Sequence, residues 1–229
     1  MIVVANYKMN LNLKNYKIIL KKLNNVQVKD TKLVLCPPFV YLPLFAKNKS
    51  WYEIGGQDVS ANSVGKSTGQ VSAGMLKDFD VTHCIVGHSD RREFETNEKI
   101  ANKVEQLVNN GIIPIICVGE KEKNGADNLI IEQVKTALNK IKNDAEFYIA
   151  YEPVWAIGSG DIATNSYINK KVAIIKKEMK KLGFNQPILY GGSVNEKNCQ
   201  HLKKCNIAGF LVGGLSLNTD KFIDLLRRV

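Results

Sequence analysis

Glu152 stands where a strand-like run, Phe147-Tyr148-Ile149-Ala150-Tyr151, gives way to a loop, and Pro153 keeps its backbone out of the helical region. Trp155, Ile157 and the glycines Gly158 and Gly160 follow. A carboxylate at a strand end, under a segment that is first stiff and apolar and then flexible, is what a base beneath a moving lid requires. His88, in Gly87-His88-Ser89-Asp90-Arg91-Arg92, ends another strand-like run, with a helical turn expected behind it. The positive end of that turn disfavours the imidazolium form. A neutral imidazole can donate a hydrogen bond to a carbonyl oxygen while an opposed carboxylate removes a carbon-bound proton.

Lys8, two residues past Asn6 at the end of the first apolar run, would be costly to bury without an anion, and a phosphate or a developing oxyanion suits it. The strand period puts Asn6 on the same face, where it could orient the lysine. Gly158, Ser193 and the pair Gly213-Gly214 make a plausible phosphate cradle, because glycines let backbone amides approach an anion. Each such turn alone is weak, since parallel folds use glycine in turns anyway.

Elements that must position these residues are legible in the periodicity. Short apolar runs at 2–6, 32–36, 52–57, 83–87, 112–118, 147–151, 188–191 and 209–212 alternate with amphipathic stretches at 14–23, 40–46, 73–79, 97–109, 128–141, 165–182, 196–203 and 219–228. Strands apolar on both faces and separated by helices predict a parallel sheet covered by helices. Eight units without a linker predict one domain over 1–229, closed as an eight-stranded parallel (β/α)8 barrel rather than an open doubly wound sheet. In a barrel the strand ends share one rim, which brings together Asn6, Lys8, Gln57, His88, Ser89, Cys117, Glu120, Glu152, Ser193, Gly213 and Gly214.

Composition excludes several other classes. No apolar run approaches the roughly 18–20 residues that span a bilayer, so no membrane partner is expected. The N-terminal residues lack a basic lead and a long apolar stretch, so no signal peptide is read and a cytoplasmic location is expected. Five cysteines without a Cys-x-x-Cys pair fit small buried hydrophobes in a reducing compartment. Cys199, His201 and Cys205 do not share one helix face, so no metal is expected. The 32 Lys and Arg against 22 Asp and Glu give +10, a charge that suits an anionic partner. The lysines are spread along helices without interleaved aromatics, so a solvated surface is favoured over nucleic-acid binding. Gly158-Ser159-Gly160-Asp161-Ile162-Ala163 mimics a dinucleotide fingerprint, but it follows its strand too late. Gly65-Lys66-Ser67-Thr68 mimics a P-loop tail, but Ser60 stands where the first glycine belongs.

With these residues in hand, the chain resembles the triosephosphate isomerase family along nearly its whole length. Asn6-Tyr7-Lys8-Met9-Asn10 looks like the family's first-strand motif, Gly87-His88-Ser89-Asp90-Arg91-Arg92 its electrophile motif and Cys117-Val118-Gly119-Glu120 the segment holding a structural cysteine. Residues 150–160 resemble base and lid. Tyr190-Gly191-Gly192-Ser193-Val194 and Leu211-Val212-Gly213-Gly214 resemble the last two phosphate loops. The resemblance implies interconversion of dihydroxyacetone phosphate and glyceraldehyde 3-phosphate without a cofactor. Glu152 is implied as the base, His88 as the carbonyl polariser, and Lys8 with Asn6 as the binders of substrate charge. Ile157 and Leu211 would flank the carboxylate and exclude water.

The chain departs from the family pattern at identifiable places. Asp90 stands where the family has Glu, one methylene longer. The loop Gly65-Lys66-Ser67-Thr68-Gly69-Gln70 lacks the usual Ala and aromatic and has Gln70 for Glu. In the family that loop inserts into a second subunit, so the resemblance implies a homodimer through residues 65–70, weakened by the more polar tip. Ser159, Asp161 and Ile162 replace Thr, Lys and Thr in the lid, and Leu215 replaces Ala after the glycine pair.

Overall fold

The computed structural model describes residues 1–26, 28, 30–123, 127–157 and 162–229. Eight strands, β1 (Ile2–Asn6), β2 (Lys32–Cys36), β3 (Glu53–Gly56), β4 (Val81–Val86), β5 (Ile113–Val118), β6 (Tyr148–Tyr151), β7 (Ile188–Tyr190) and β8 (Gly209–Val212), pair in sequence order, all parallel. β8 returns to β1 in the register Val4↔Leu211, which closes the barrel and bears out the expected architecture.

The helices α1 (Leu13–Asn24), α2 (Leu42–Lys47), α3 (Ala73–Lys77), α4 (Asn97–Asn109), α5 (Asp127–Leu138), α6 (Asn165–Lys181), α7 (Cys199–Leu202) and α8 (Thr219–Arg228) return the chain between strands. Their starts are set by side chains that accept the free amides of the first turn. Asn12 and Asn15 form a reciprocal capping box on α1, and Ser72, Thr96, Thr164 and Asn218 cap α3, α4, α6 and α8. Each such cap stabilises its helix by ~1 kcal/mol.

Period-two alternation divides the strand residues between two cores. Val4, Val34, Ile85, Ile115, Ala150 and Leu211 fill the barrel interior. Val3, Leu35, Val86, Ile116, Ile149 and Val212 face the helices. That double burial is why the strands read as continuous apolar runs.

The structure moves some boundaries. β4 starts at Val81 rather than at 83, because Val81 pairs with Ile54, and it ends before Gly87, whose φ of +67° turns the chain out of the sheet. The helix expected over 196–203 shrinks to Cys199–Leu202. Asn195 Oδ1 accepts the amides of Lys197 and Asn198, a local turn that competes with helix formation there. Among the described residues no helix is long and apolar enough to cross a membrane.

Candidate active site

At the C-terminal ends of the strands lies a cavity of about 380 Å³ whose wall includes Asn6, Lys8, His88, Glu152, Ile157, Leu211, Ser193, Gly213 and Gly214. Of the rim residues expected from the sequence, Gln57, Ser89, Cys117 and Glu120 do not line this cavity. Gly158 lies outside the described residues.

Glu152 is the first residue past β6, and its amide still bonds the Val118 carbonyl at 2.8 Å, which continues the sheet ladder to the base of its side chain. The residue is buried. Its carboxylate accepts the Ser89 amide at Oε2, 3.1 Å, and Oε1 lies 3.2 Å from His88 Nε2. Gly191 backs the side chain closely: a Cβ there would stand 2.9 Å from Glu152 Cγ. Only a glycine leaves room for the carboxylate in this position.

His88 follows Gly87 directly and is buried. Its Nδ1 accepts the Asp90 amide at 3.1 Å. A ring nitrogen that accepts a backbone N–H carries no proton, which leaves Nε2 as the ring's donor. Nε2 is the donor that faces Glu152 and the cavity. The turn behind the ring is real: the amides of Arg91 and Arg92 both return to the His88 carbonyl.

Lys8 is not on the strand. It lies two residues past the end of β1 with φ of +49°, a backbone state that a side chain strains. Asn6 and Lys8 nevertheless line the same cavity, and Asn6 Oδ1 accepts the Lys8 amide at 3.0 Å, fixing the lysine through its backbone. Gln57 completes the fixation, donating from Nε2 to the carbonyls of Lys8 and Cys36, both at 2.9 Å. The ammonium itself meets Asp90 Oδ2 at 3.1 Å, so the shorter carboxylate still reaches it.

The remaining expected residues take supporting places. Ser193 Oγ donates to the Ala156 carbonyl at 2.6 Å, tying the loop after β7 to the root of the lid segment. Gly213 accepts the amide and hydroxyl of Ser216 within a turn of 3-10 helix over Gly214–Leu217. Cys117 is buried below the site, where its carbonyl accepts Arg92 Nη2 at 2.7 Å. Burial first, and the neighbouring Glu152 carboxylate second, push the Cys117 thiol well above its ordinary range, so it is a neutral filler rather than a nucleophile. The loop 65–70 is exposed, with positive φ at Gly65 and Gly69.

Sequence reasoning did not single out Asn10, Asn195, Leu215 and Leu217 as wall residues of the cavity. It also placed Glu120 only on the rim. Glu120 is fully buried, and its Oε1 accepts three donors: Tyr151 Oη at 2.8 Å, Tyr167 Oη at 2.9 Å and Trp155 Nε1 at 3.1 Å. One carboxylate thus anchors the start of the lid segment to β6 and α6. Trp155, Tyr167 and Tyr151 were each visible as large residues near a strand or helix end, but nothing in their spacing announced a common acceptor.

The profile of the triosephosphate isomerase family matches residues 1–229. The triosephosphate isomerase of Wolbachia pipientis wMel is 37% identical over 100% of this chain and 93% of its own length. That of Vesicomyosocius okutanii subsp. Calyptogena okutanii (strain HA) is 35% identical over 99% of this chain and 98% of its own length. That of Chlamydia trachomatis serovar D is 33% identical over 99% of this chain and 89% of its own length. With a whole-length profile match and near full-length relatives on a closed eight-stranded barrel, the chain belongs to the triosephosphate isomerase family.

Proposed function

We propose that the protein is a triosephosphate isomerase that interconverts dihydroxyacetone phosphate and D-glyceraldehyde 3-phosphate. The observation that carries the reading is the meeting of Glu152 Oε1 with His88 Nε2, 3.2 Å apart, in a cavity that also holds Lys8. Glu152 removes the proton on the carbon beside the carbonyl. The resulting enediolate oxygen is stabilised by the Nε2–H of His88 and the ammonium of Lys8. Return of the proton to the neighbouring carbon completes the isomerisation, and no step needs a cofactor. Asn6 holds the Lys8 backbone, and the amides around Ser193, Gly213 and Gly214, joined by Gly158, receive the phosphate. Ile157 and Leu211 keep water from the carboxylate.

The substrate arrives as a free phosphorylated triose, in the cytoplasm, as a step of glycolysis and gluconeogenesis. We further infer a homodimer through the loop 65–70. Support comes from the exposed Val64 beside that loop and the exposed Met9 and Phe94, which a monomer would leave in water.

Turnover of D-glyceraldehyde 3-phosphate in a coupled assay, run at several protein concentrations, tests both parts. Fast turnover is expected, with the specific activity falling on dilution if association is weak. A folded protein with no turnover at any concentration would refute the activity.

A further inference from the structure

Arg92 does not line the candidate active site, yet its guanidinium lies between the roots of the two side chains that meet there. On one side is Gly87, the residue before His88. A Cβ on Gly87 would stand 3.2 Å from Arg92 Nη2, so the guanidinium packs directly against the turn that carries the histidine. On the other side is the end of β5, where the Cys117 carbonyl accepts Nη2 at 2.7 Å. β5 pairs with β6 in the register Cys117↔Ala150 and Val118↔Tyr151, and the Val118 carbonyl accepts the Glu152 amide at 2.8 Å. One planar group thus touches the residue before His88 and the residue before the acceptor that holds Glu152.

The second arm of the fork reaches outward. Nη1 donates to Asn97 Oδ1 at 2.8 Å, at the first residue of α4, and Asn97 Nδ2 passes the connection on to Glu132 Oε1 of α5 at 3.3 Å. Both acceptors of the guanidinium are neutral. Burial lowers its pKa from 12.5, while the charges of Glu152 and Glu95 work the other way, and the group stays protonated. Sheltering a cation on neutral acceptors costs more than packing an apolar side chain of similar volume there. Geometry supplies the compensating use. A rigid fork fixes the relative positions of two acceptors, which a single ammonium on a flexible stem cannot do.

We propose that Arg92 is a positioning residue for His88 and Glu152: its fork sets the spacing between the Gly87 turn and the end of β5, and through Val118 the stance of the carboxylate. The proposal rests on the isomerase reading for its kinetic consequence, and on the geometry alone for the placement of Glu152. The 3.2 Å meeting of the two side chains then depends on a residue that touches neither the cavity nor the substrate.

The test pairs steady-state kinetics with crystal structures for Arg92→Met and Arg92→Lys. Methionine fills similar space without donors, and lysine keeps the charge but cannot bond both acceptors. With D-glyceraldehyde 3-phosphate, kcat is expected to fall by about a hundredfold in Arg92→Met, the loss that goes with a displacement near 1 Å, and by about tenfold in Arg92→Lys. KM and the constant for competitive inhibition by inorganic phosphate are expected to stay within about threefold, because the loops that receive the phosphate are not disturbed. The crystal structure of Arg92→Met is expected to show the Glu152 carboxylate withdrawn from the Ser89 amide, which it meets at 3.1 Å in the unaltered protein. Where Arg92→Met does not fold, Arg92→Lys carries the same comparison. Unchanged kcat in a folded variant overturns the proposal. So does a loss of kcat matched by an equal loss of phosphate inhibition, and so does a carboxylate found in its original place. An unaltered protein without turnover would sink the isomerase reading instead, and the carboxylate position in the variant crystals would then decide the role of Arg92 by itself.

Discussion

His88 and Glu152 face each other across 3.2 Å, Nε2 of the ring toward Oε1 of the carboxylate, while the Asp90 amide holds the other side of the ring at 3.1 Å. Both groups are thus engaged with one another, and neither is free for a substrate. Under the proposed mechanism, occupation of the cavity separates them: Nε2 turns its hydrogen to a carbonyl oxygen, and the carboxylate leaves the Ser89 amide for the carbon-bound proton. Gly191 lies behind this movement and Leu211 in front of it.

Glu152→Asp withdraws the carboxylate by one methylene from that reacting carbon. A displacement near 1 Å costs about a hundredfold in rate. Turnover is expected to fall by that much or more, with the circular dichroism spectrum unchanged. Near-normal kcat in this variant would remove Glu152 from the role of base.

Asp90 reaches Lys8 at 3.1 Å even though it is one methylene shorter than its counterpart in the family pattern. The backbone fixation of Lys8 by Asn6 and Gln57 supplies the rest of its placement. Asp90→Glu is therefore expected to change kcat/KM by less than about threefold. Asp90→Asn, which removes a solvent-screened contact worth up to ~1 kcal/mol, is expected to lower it by about two- to fivefold. Steady-state kinetics on the two variants decide, and a tenfold gain for Asp90→Glu would show that the shorter side chain impairs the enzyme.

The fold and the rim were legible because both depend on local pattern. A run such as Ile113–Val118 must be buried on both faces, and the amphipathic period over 97–109 marks a helix by itself. What was not legible depends on tertiary geometry. The positive φ of Lys8 is enforced by Gln57, which is 49 residues away in sequence. The buried cluster of Lys103 and Asp58 joins residues 45 apart. Neither pairing has a sequence period to reveal it. That Asn6 holds Lys8 through the lysine's backbone amide was not legible either, because the strand ends at Asn6 and its period does not reach Lys8.

Gly191→Ala sets a methyl carbon 2.9 Å from Glu152 Cγ and 3.5 Å from the Tyr151 carbonyl. Backbone on one side leaves the Glu152 side chain as the group that must yield. Activity is expected to fall by about a hundredfold, with loss of stability near the 1–3 kcal/mol of an overpacked site. Thermal melts and kcat measured on the same preparation check this. Equal activity in the two proteins would show that Glu152 has freedom that the close wall denies it.

His83 predicts how the barrel responds to acid. The side chain is buried in the barrel interior, stacked on Tyr148 at 5.6 Å, with Nδ1 2.8 Å from Thr82 Oγ1 and no partner for Nε2 among the described residues. Burial, with a smaller contribution from the charge of Lys32, lowers its pKa from 6.5 to about 3. The unfolded chain therefore takes up the proton first. The stability held at neutral pH is intact above about 6.5 and is lost as the pH falls from there toward 3, by ~1.4 kcal/mol per pH unit. Between pH 7 and 4.5 this residue accounts for a loss of about 2–3 kcal/mol. His83→Phe keeps a ring against Tyr148 but cannot bind the proton. Urea unfolding at fixed protein concentration is expected to show a shallower fall with acid in the variant, while parallel curves would mean that His83 gains its proton without opening the barrel.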